Sequence, residues 1–165
     1  MKINENTKDK YAFFREYHDA RYIESHDKSA SVVAEENKKK YTLRNDIGKE
    51  IIKYHIDGGM VDDNNVNKCD YGIYTEDELL ILVELKGRDY QHAVKQILST
   101  TKLLGITKGS NKVRKLLARV VLSKGANVPN LRTKDLTELK NLLASFSGNI
   151  FPKSQSLEET LSRIQ

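Results

Sequence analysis

Two apolar runs separated by a helical stretch constrain this chain more than any other feature. Leu79-Leu-Ile-Leu-Val83 and the mostly apolar run from Leu116 to Ser123 bury consecutive rather than alternate positions. That is the pattern of strands covered on both faces. Between them, Asp89 can cap a helix from Tyr90 to about Leu104, with Ala93, Val94, Ile97 and Leu98 at helical spacing. Buried strands joined through one helix form a crossover unit over 79–123, paired in parallel. The expected class is α/β: a small mixed sheet with helices on both faces.

The remaining segments are expected to be mainly helical. Tyr11, Phe14, Tyr17, Tyr22 and Ile23 recur close to helical spacing and predict a helix over 5–26. Ser31 can cap a second helix within 29–40, where Glu35 and Glu36 precede Lys38-Lys39-Lys40. Ile47, Ile51 and Tyr54 predict a third over 41–55, stopped by Gly58-Gly59. Thr133 or Asp135 opens a helix to about Phe146, and 157–164 reads as a short amphipathic tail. The expected organisation is a single domain over 1–165. It has a helical N-terminal extension (1–40), a core (41–125) and a C-terminal helical segment (126–165).

A single cysteine, Cys69, excludes an internal disulfide. No apolar run approaches the ~18 residues of a membrane span, and the first ten residues lack the apolar stretch of a signal peptide. A soluble cytoplasmic protein is expected. The net charge of +5 is unevenly spread: residues 106–165 carry 11 Lys or Arg against 4 Asp or Glu, whereas 41–105 carry 8 against 11. An acidic middle beside a basic C-terminal third suits a metal site next to a polyanion-binding surface, although a basic solvated face reads the same way.

The acidic middle holds the strongest chemical pattern. Residues 68–75 and 79–86 read as a hairpin around Glu76-Asp77-Glu78. If 72 pairs with 82 and 74 with 80, Asp70 stands opposite Glu84 on one face, with Cβ atoms about 4.5–5.5 Å apart. Lys86 lies two residues on and shares that face. Two opposed carboxylates repel, which raises one pKa or recruits a cation. Their oxygens suit Mg²⁺ or Mn²⁺, with the Leu85 carbonyl as a further candidate ligand. Lys86 could orient a water or offset charge on a phosphate. Strand ends also carry charges for solubility alone, so a solvated hairpin end with Lys86 as ion-pair partner fits the same residues.

Cys69-Asp70 followed by Glu84-Leu85-Lys86 resembles the PD-(D/E)xK nuclease superfamily, with cysteine where that motif has proline. The resemblance covers roughly residues 41–125. It implies a restriction-endonuclease-like core: a helix, a meander of three strands, a helix and a further strand. It also implies a Mg²⁺- or Mn²⁺-dependent nuclease, acting on DNA rather than RNA. Asp70 and Glu84 would be its metal ligands and Lys86 its catalytic lysine. Glu50 resembles the glutamate that many members place on the helix before the hairpin. Gln96, or Gln91, resembles the polar residue on the helix after the lysine. The superfamily also contains inactive members used for binding, so an immunity, regulatory or nucleic-acid-binding partner is the alternative.

Lys108, Lys112, Arg114 and Lys115 open an acid-free basic stretch and are the candidate nucleic-acid contacts. His92 on the central helix is a candidate proton carrier. His18-Asp19 and His26-Asp27 lack further ligands nearby in sequence. Cys69 lacks a base at useful spacing and reads as a small core residue. The aromatic N-terminal stretch could equally support a homodimer.

Overall fold

The computed structural model describes residues 22–107, 113–126, 128, 130 and 132–165. The part of the expected 5–26 helix that precedes residue 22, with Tyr11, Phe14, Tyr17 and His18-Asp19, lies outside the described residues, as do Lys108 and Lys112. The described chain is α/β, as expected. It runs β1 (Ile23–Asp27), β2 (Ser31–Glu36), β3 (Lys39–Arg44), β4 (Ile51–His55), β5 (Tyr71–Thr75) and β6 (Leu79–Leu85). There follow α1 (Tyr90–Leu103), β7 (Lys115–Leu122), α2 (Lys134–Ser145), β8 (Ile150–Ser154), β9 (Ser156–Thr160) and α3 (Leu161–Ile164). Among the described residues, no helix is long and apolar enough to cross a membrane.

A mixed six-stranded sheet in the order β1-β4-β5-β6-β7-β8 forms the centre. The crossover unit is as expected: β6 and β7 pair in parallel, Leu79 with Lys115 through Leu85 with Val121. The α1 helix starts at its Asp89 cap, whose carboxylate accepts the His92 N–H at 2.8 Å. All seven residues of β6 are buried. Alternate residues of that strand enter two separate cores. Leu80 and Leu82 pack with Ala93, Val94 and Ile97 of α1 and Leu139 and Leu143 of α2. Leu79, Ile81, Val83 and Leu85 pack with Tyr41, Leu43 and Leu157.

That second core corrects the expectation of helices on both faces. The face opposite α1 and α2 is covered by a second sheet, ordered β2-β3-β9. Residues 29–40 are therefore not a helix. Val32 and Ala34 on β2, and Tyr41 and Leu43 on β3, are buried at period two. Asn37 and Lys38 both take positive φ (47° and 63°), the backbone of a two-residue hairpin turn. Residues 41–55 are not a helix either. After β3 the chain loops through 45–50, where the Asn45 side chain bonds Ser29 O, Lys49 O and Lys49 N at 2.7–3.0 Å. It then enters β4. The helical spacing of Ile47, Ile51 and Tyr54 was incidental, because Ile47 is exposed in that loop while Ile51 and Ile52 are both buried.

Residues 23–27, expected as the end of the first helix, form edge strand β1 against β4. Over 23–36 the expected helical extension is thus strands of both sheets. At the C-terminus, α2 matches expectation, but 150–160 form two strands rather than helix. β8 joins β7 in parallel, and β9 crosses to join β3 in parallel.

The turn from α2 into β8 needs glycine. A Cβ on Gly148 would lie 1.6 Å from the Leu116 carbonyl oxygen, so backbone would have to move. Gly148→Ala is expected to cost at least about 2 kcal/mol, as overpacking does, read as a lowered urea midpoint at unchanged m-value.

Candidate active site

The hairpin register is the expected one. Gly72 pairs with Leu82 and Tyr74 with Leu80, so one step beyond the Tyr71–Val83 pair Asp70 stands opposite Glu84. Both continue the alternate positions of Gly72 and Leu82 and so belong to the helix-covered face. Glu84 is the more enclosed, at 1% exposure. Its Oε2 is buried without a hydrogen-bond partner. Asp70 is partly buried, and its Oδ2 accepts the Leu85 N–H at 2.6 Å.

Burial dominates the electrostatics. Loss of water pushes the Glu84 carboxyl up to about 9, with the Asp70 charge adding to the rise and Lys86 opposing it. Burial likewise lifts Asp70 to about 6, opposed mainly by the Leu85 N–H. At neutral pH Glu84 therefore holds a proton that a cation would have to displace.

Lys86 lies within electrostatic reach of both acids. Its backbone N–H donates to Val121 O at 2.9 Å, toward β7. The neighbouring Leu85 N–H points the other way, to Asp70. A strand residue turns its N–H and C=O to the same side, so the Leu85 carbonyl also faces the Asp70 side.

Gln96 is tied to the segment that precedes Asp70. Its Nε2 donates to the Lys68 carbonyl at 3.0 Å, and its Oε1 is buried without a partner. The next turn of α1 repeats the tie: Thr100 Oγ1 accepts the Cys69 N–H at 2.8 Å. Gln96 and Thr100 together fix the segment that delivers Asp70. Cys69 is fully buried and its thiol is pushed well above the usual range by burial, as suits a core residue. His92 is exposed on α1.

Two assignments are corrected by register. Glu50 precedes a strand, not a hairpin-side helix, and its carbonyl accepts the Glu76 N–H at 3.0 Å. It therefore sits at the turn end of the hairpin, six residues or roughly 20 Å along the strand from Asp70. There its Oε1 meets His26 Nε2 at 2.7 Å. Arg114 and Lys115 also lie at that far end, because Lys115 pairs with Leu79 while Glu84 pairs with Val120. The Arg114 N–H donates to Glu78 O at 2.8 Å, which ties this end of β7 to the hairpin turn, away from Asp70 and Glu84.

Other residues occupy the space around the pair. The β4–β5 register runs on so that the Ile56 N–H donates to Asp70 O at 2.9 Å. This brings Asp57 close enough to raise both carboxyls. Asp57 also pairs with buried Lys68 at 3.4 Å. Glu36, at the tip of β2, acts on Asp70 from the second sheet. The Ser123 N–H donates to Gly87 O at 2.8 Å, which sets exposed Arg88 and Lys124 beside Lys86. Continuing the β4–β5 pairing would have revealed Asp57. Lys124 closes the acid-free basic stretch that begins at Lys108, but nothing local in the sequence marks Glu36 or Arg88.

Among the described residues, no group of three or more His, Cys, Asp or Glu side chains is spaced to hold a metal ion. The site is a two-carboxylate one, and its donors fit Mg²⁺, which takes one or two carboxylates and keeps several waters. An unpartnered buried carboxylate oxygen is what such an ion would satisfy. Comparison of the chain with protein-family models, curated proteins and solved structures finds no match.

Proposed function

We propose that this protein is a metal-dependent nuclease of PD-(D/E)xK type, hydrolysing phosphodiesters in nucleic acid, with DNA favoured. The observation that carries this reading is Glu84: a buried carboxylate with an unpartnered oxygen, opposed by a second acid and followed by Lys86 on the same face. The order of a three-stranded meander, a helix and a parallel strand supports this reading in part, since residues 41–55, where that family places a helix before the meander, form the end of β3, a loop and β4 instead.

Asp70 and Glu84 would hold Mg²⁺ or Mn²⁺, with the Leu85 carbonyl as a third oxygen. The ion supplies a Lewis acid for the scissile phosphate when bound. Lys86 orients the attacking water and offsets the negative charge that grows on the phosphoryl oxygens. The Leu85 N–H fixes Asp70, and Gln96 fixes the segment before it. Arg88 and Lys124 receive the flanking phosphates in place of Arg114 and Lys115.

The test is cleavage of plasmid and single-stranded DNA with Mg²⁺ by wild type and Lys86→Ala. Loss of at least about 100-fold is expected, the size of removing one donor to a developing oxyanion. Equal rates would overturn the assignment. A second reading is a nuclease-fold binding protein without catalysis, which the pair of carboxylates fits when, as among the described residues, no group of three or more metal-ligating side chains gathers. Calorimetric titration of Mn²⁺ into wild type and Asp70→Asn separates the two: no heat from either protein favours the binder.

A further inference from the structure

On the other face of the central sheet, the described residues line a polar cavity of about 300 Å³ between β7, β8, β9 and α3. Its base is Arg119, whose side chain is only 4% exposed. Nε donates to Glu159 Oε2 at 2.7 Å. Nη1 donates to Ala118 O, Asn149 O and Asn149 Oδ1 at 2.9–3.2 Å. Nη2 donates to no described residue, and Arg119 is itself part of the cavity lining. A buried guanidinium that lines an open cleft with one nitrogen to spare is built to receive an acceptor.

The walls favour an anion. Lys115 and Arg163 line the same cavity, and neither makes a salt bridge among the described residues. Asn149 adds its amide N–H₂, since both its oxygens already accept from Arg119. Glu159 is the single acid in the lining, and its charge is engaged by Arg119 and by the Tyr41 hydroxyl at 3.0 Å. At the rim stands Phe151, an aromatic ring left 47% exposed. Phe151 pairs with Arg119 across the β7–β8 ladder, so ring and guanidinium come from adjacent strands at one level.

We propose that this cleft binds the phosphate of a nucleotide, with Arg119, Arg163 and Lys115 on the phosphate and Phe151 stacked on the base. It is distinct from the Asp70–Glu84 pair, which lies on the helix-covered face, and it does not depend on the nuclease reading.

The experiment is calorimetric titration at fixed ionic strength without divalent cations. The probes are inorganic phosphate, adenosine 5′-monophosphate, adenosine, and one oligonucleotide with and without a 5′-phosphate. The monophosphate should bind at least about 10-fold tighter than adenosine, the worth of one charge-assisted contact. Arg163→Ala, an exposed change that leaves the core intact, should weaken phosphate and monophosphate alike by about 10-fold. Phe151→Ala should weaken the monophosphate about 5-fold and leave inorganic phosphate unchanged. Preference for the 5′-phosphorylated oligonucleotide over the monophosphate would assign the ligand to a nucleic-acid end; the reverse would assign it to a free nucleotide. Either result supports a phosphate site. Adenosine binding as tightly as its monophosphate, or Arg163→Ala binding as wild type, would overturn it.

Discussion

Glu84→Gln is expected to abolish Mg²⁺-dependent cleavage and to make the metal-free protein more stable. On the proposed reading, the first effect follows from losing one of the two carboxylates that would hold the metal. A bound ion contributes several kcal/mol of transition-state charge stabilisation, so a loss of about 1,000-fold or more is expected at 1.36 kcal/mol per tenfold. The second follows from burial. Glu84 has a folded pKa of about 9 against an ordinary 4.5. Between those values the native state holds a proton that the unfolded chain has released. Stability therefore falls as pH rises through that window and levels off above it. Glutamine does not titrate, so most of this slope should vanish; Asp70, raised from 3.8 to about 6, leaves a smaller slope at its acidic end. Urea unfolding at pH 5 and pH 8.5 measures the difference. The variant should gain on wild type by at least about 2 kcal/mol between the two, and Mg²⁺ at pH 8.5 should narrow the gap by stabilising wild type alone. A gap that does not widen with pH would mean that Glu84 is not held in its neutral form.

The largest purely structural loss is expected at Arg119. It joins β7 to β9 through Glu159 and to the start of β8 through Asn149. Arg119→Ala takes the guanidinium from the partly buried Glu159 carboxylate and leaves it the Tyr41 hydroxyl as its hydrogen-bond donor. Removing one partner of a buried pair costs about 3–5 kcal/mol. Much of that cost is the stranded charge rather than the lost bond. The double variant Arg119→Ala, Glu159→Gln should therefore recover at least half of it, since glutamine is neutral and still accepts from Tyr41. Urea unfolding of the two single variants and the double variant closes the cycle. Equal stability of Arg119→Ala and the double variant would show that the stranded charge is not the cause.

The parts of this fold that could be read locally have redundant signals. β6 and β7 are apolar at every register position that matters. The α1 helix has a cap and an apolar stripe, and the acidic turn Glu76-Asp77-Glu78 leaves one sensible hairpin pairing. Because side chains alternate strictly along a strand, that pairing was enough to oppose Asp70 and Glu84. The second sheet had no such redundancy. β2 and β3 bury only two or three residues each and carry charge at Glu35, Glu36, Lys39, Lys40 and Arg44, so Glu35-Glu36 before Lys38-Lys39-Lys40 reads as an ordinary helical charge pattern. Their pairing is sustained by β9, more than a hundred residues away in sequence, and tertiary packing of this kind overrides weak local preference.

The site divides along the same line. The sequence by itself determined that Asp70, Glu84 and Lys86 share one strand face, since period-two geometry needs only the hairpin register. Only the tertiary structure decided what surrounds them. Covering by α1 dehydrates Glu84, the β4 pairing brings in Asp57 and removes Glu50 to the far end, and the β2–β3 hairpin delivers Glu36. Dehydration and long-range pairing depend on which surfaces meet, and no local spacing encodes that.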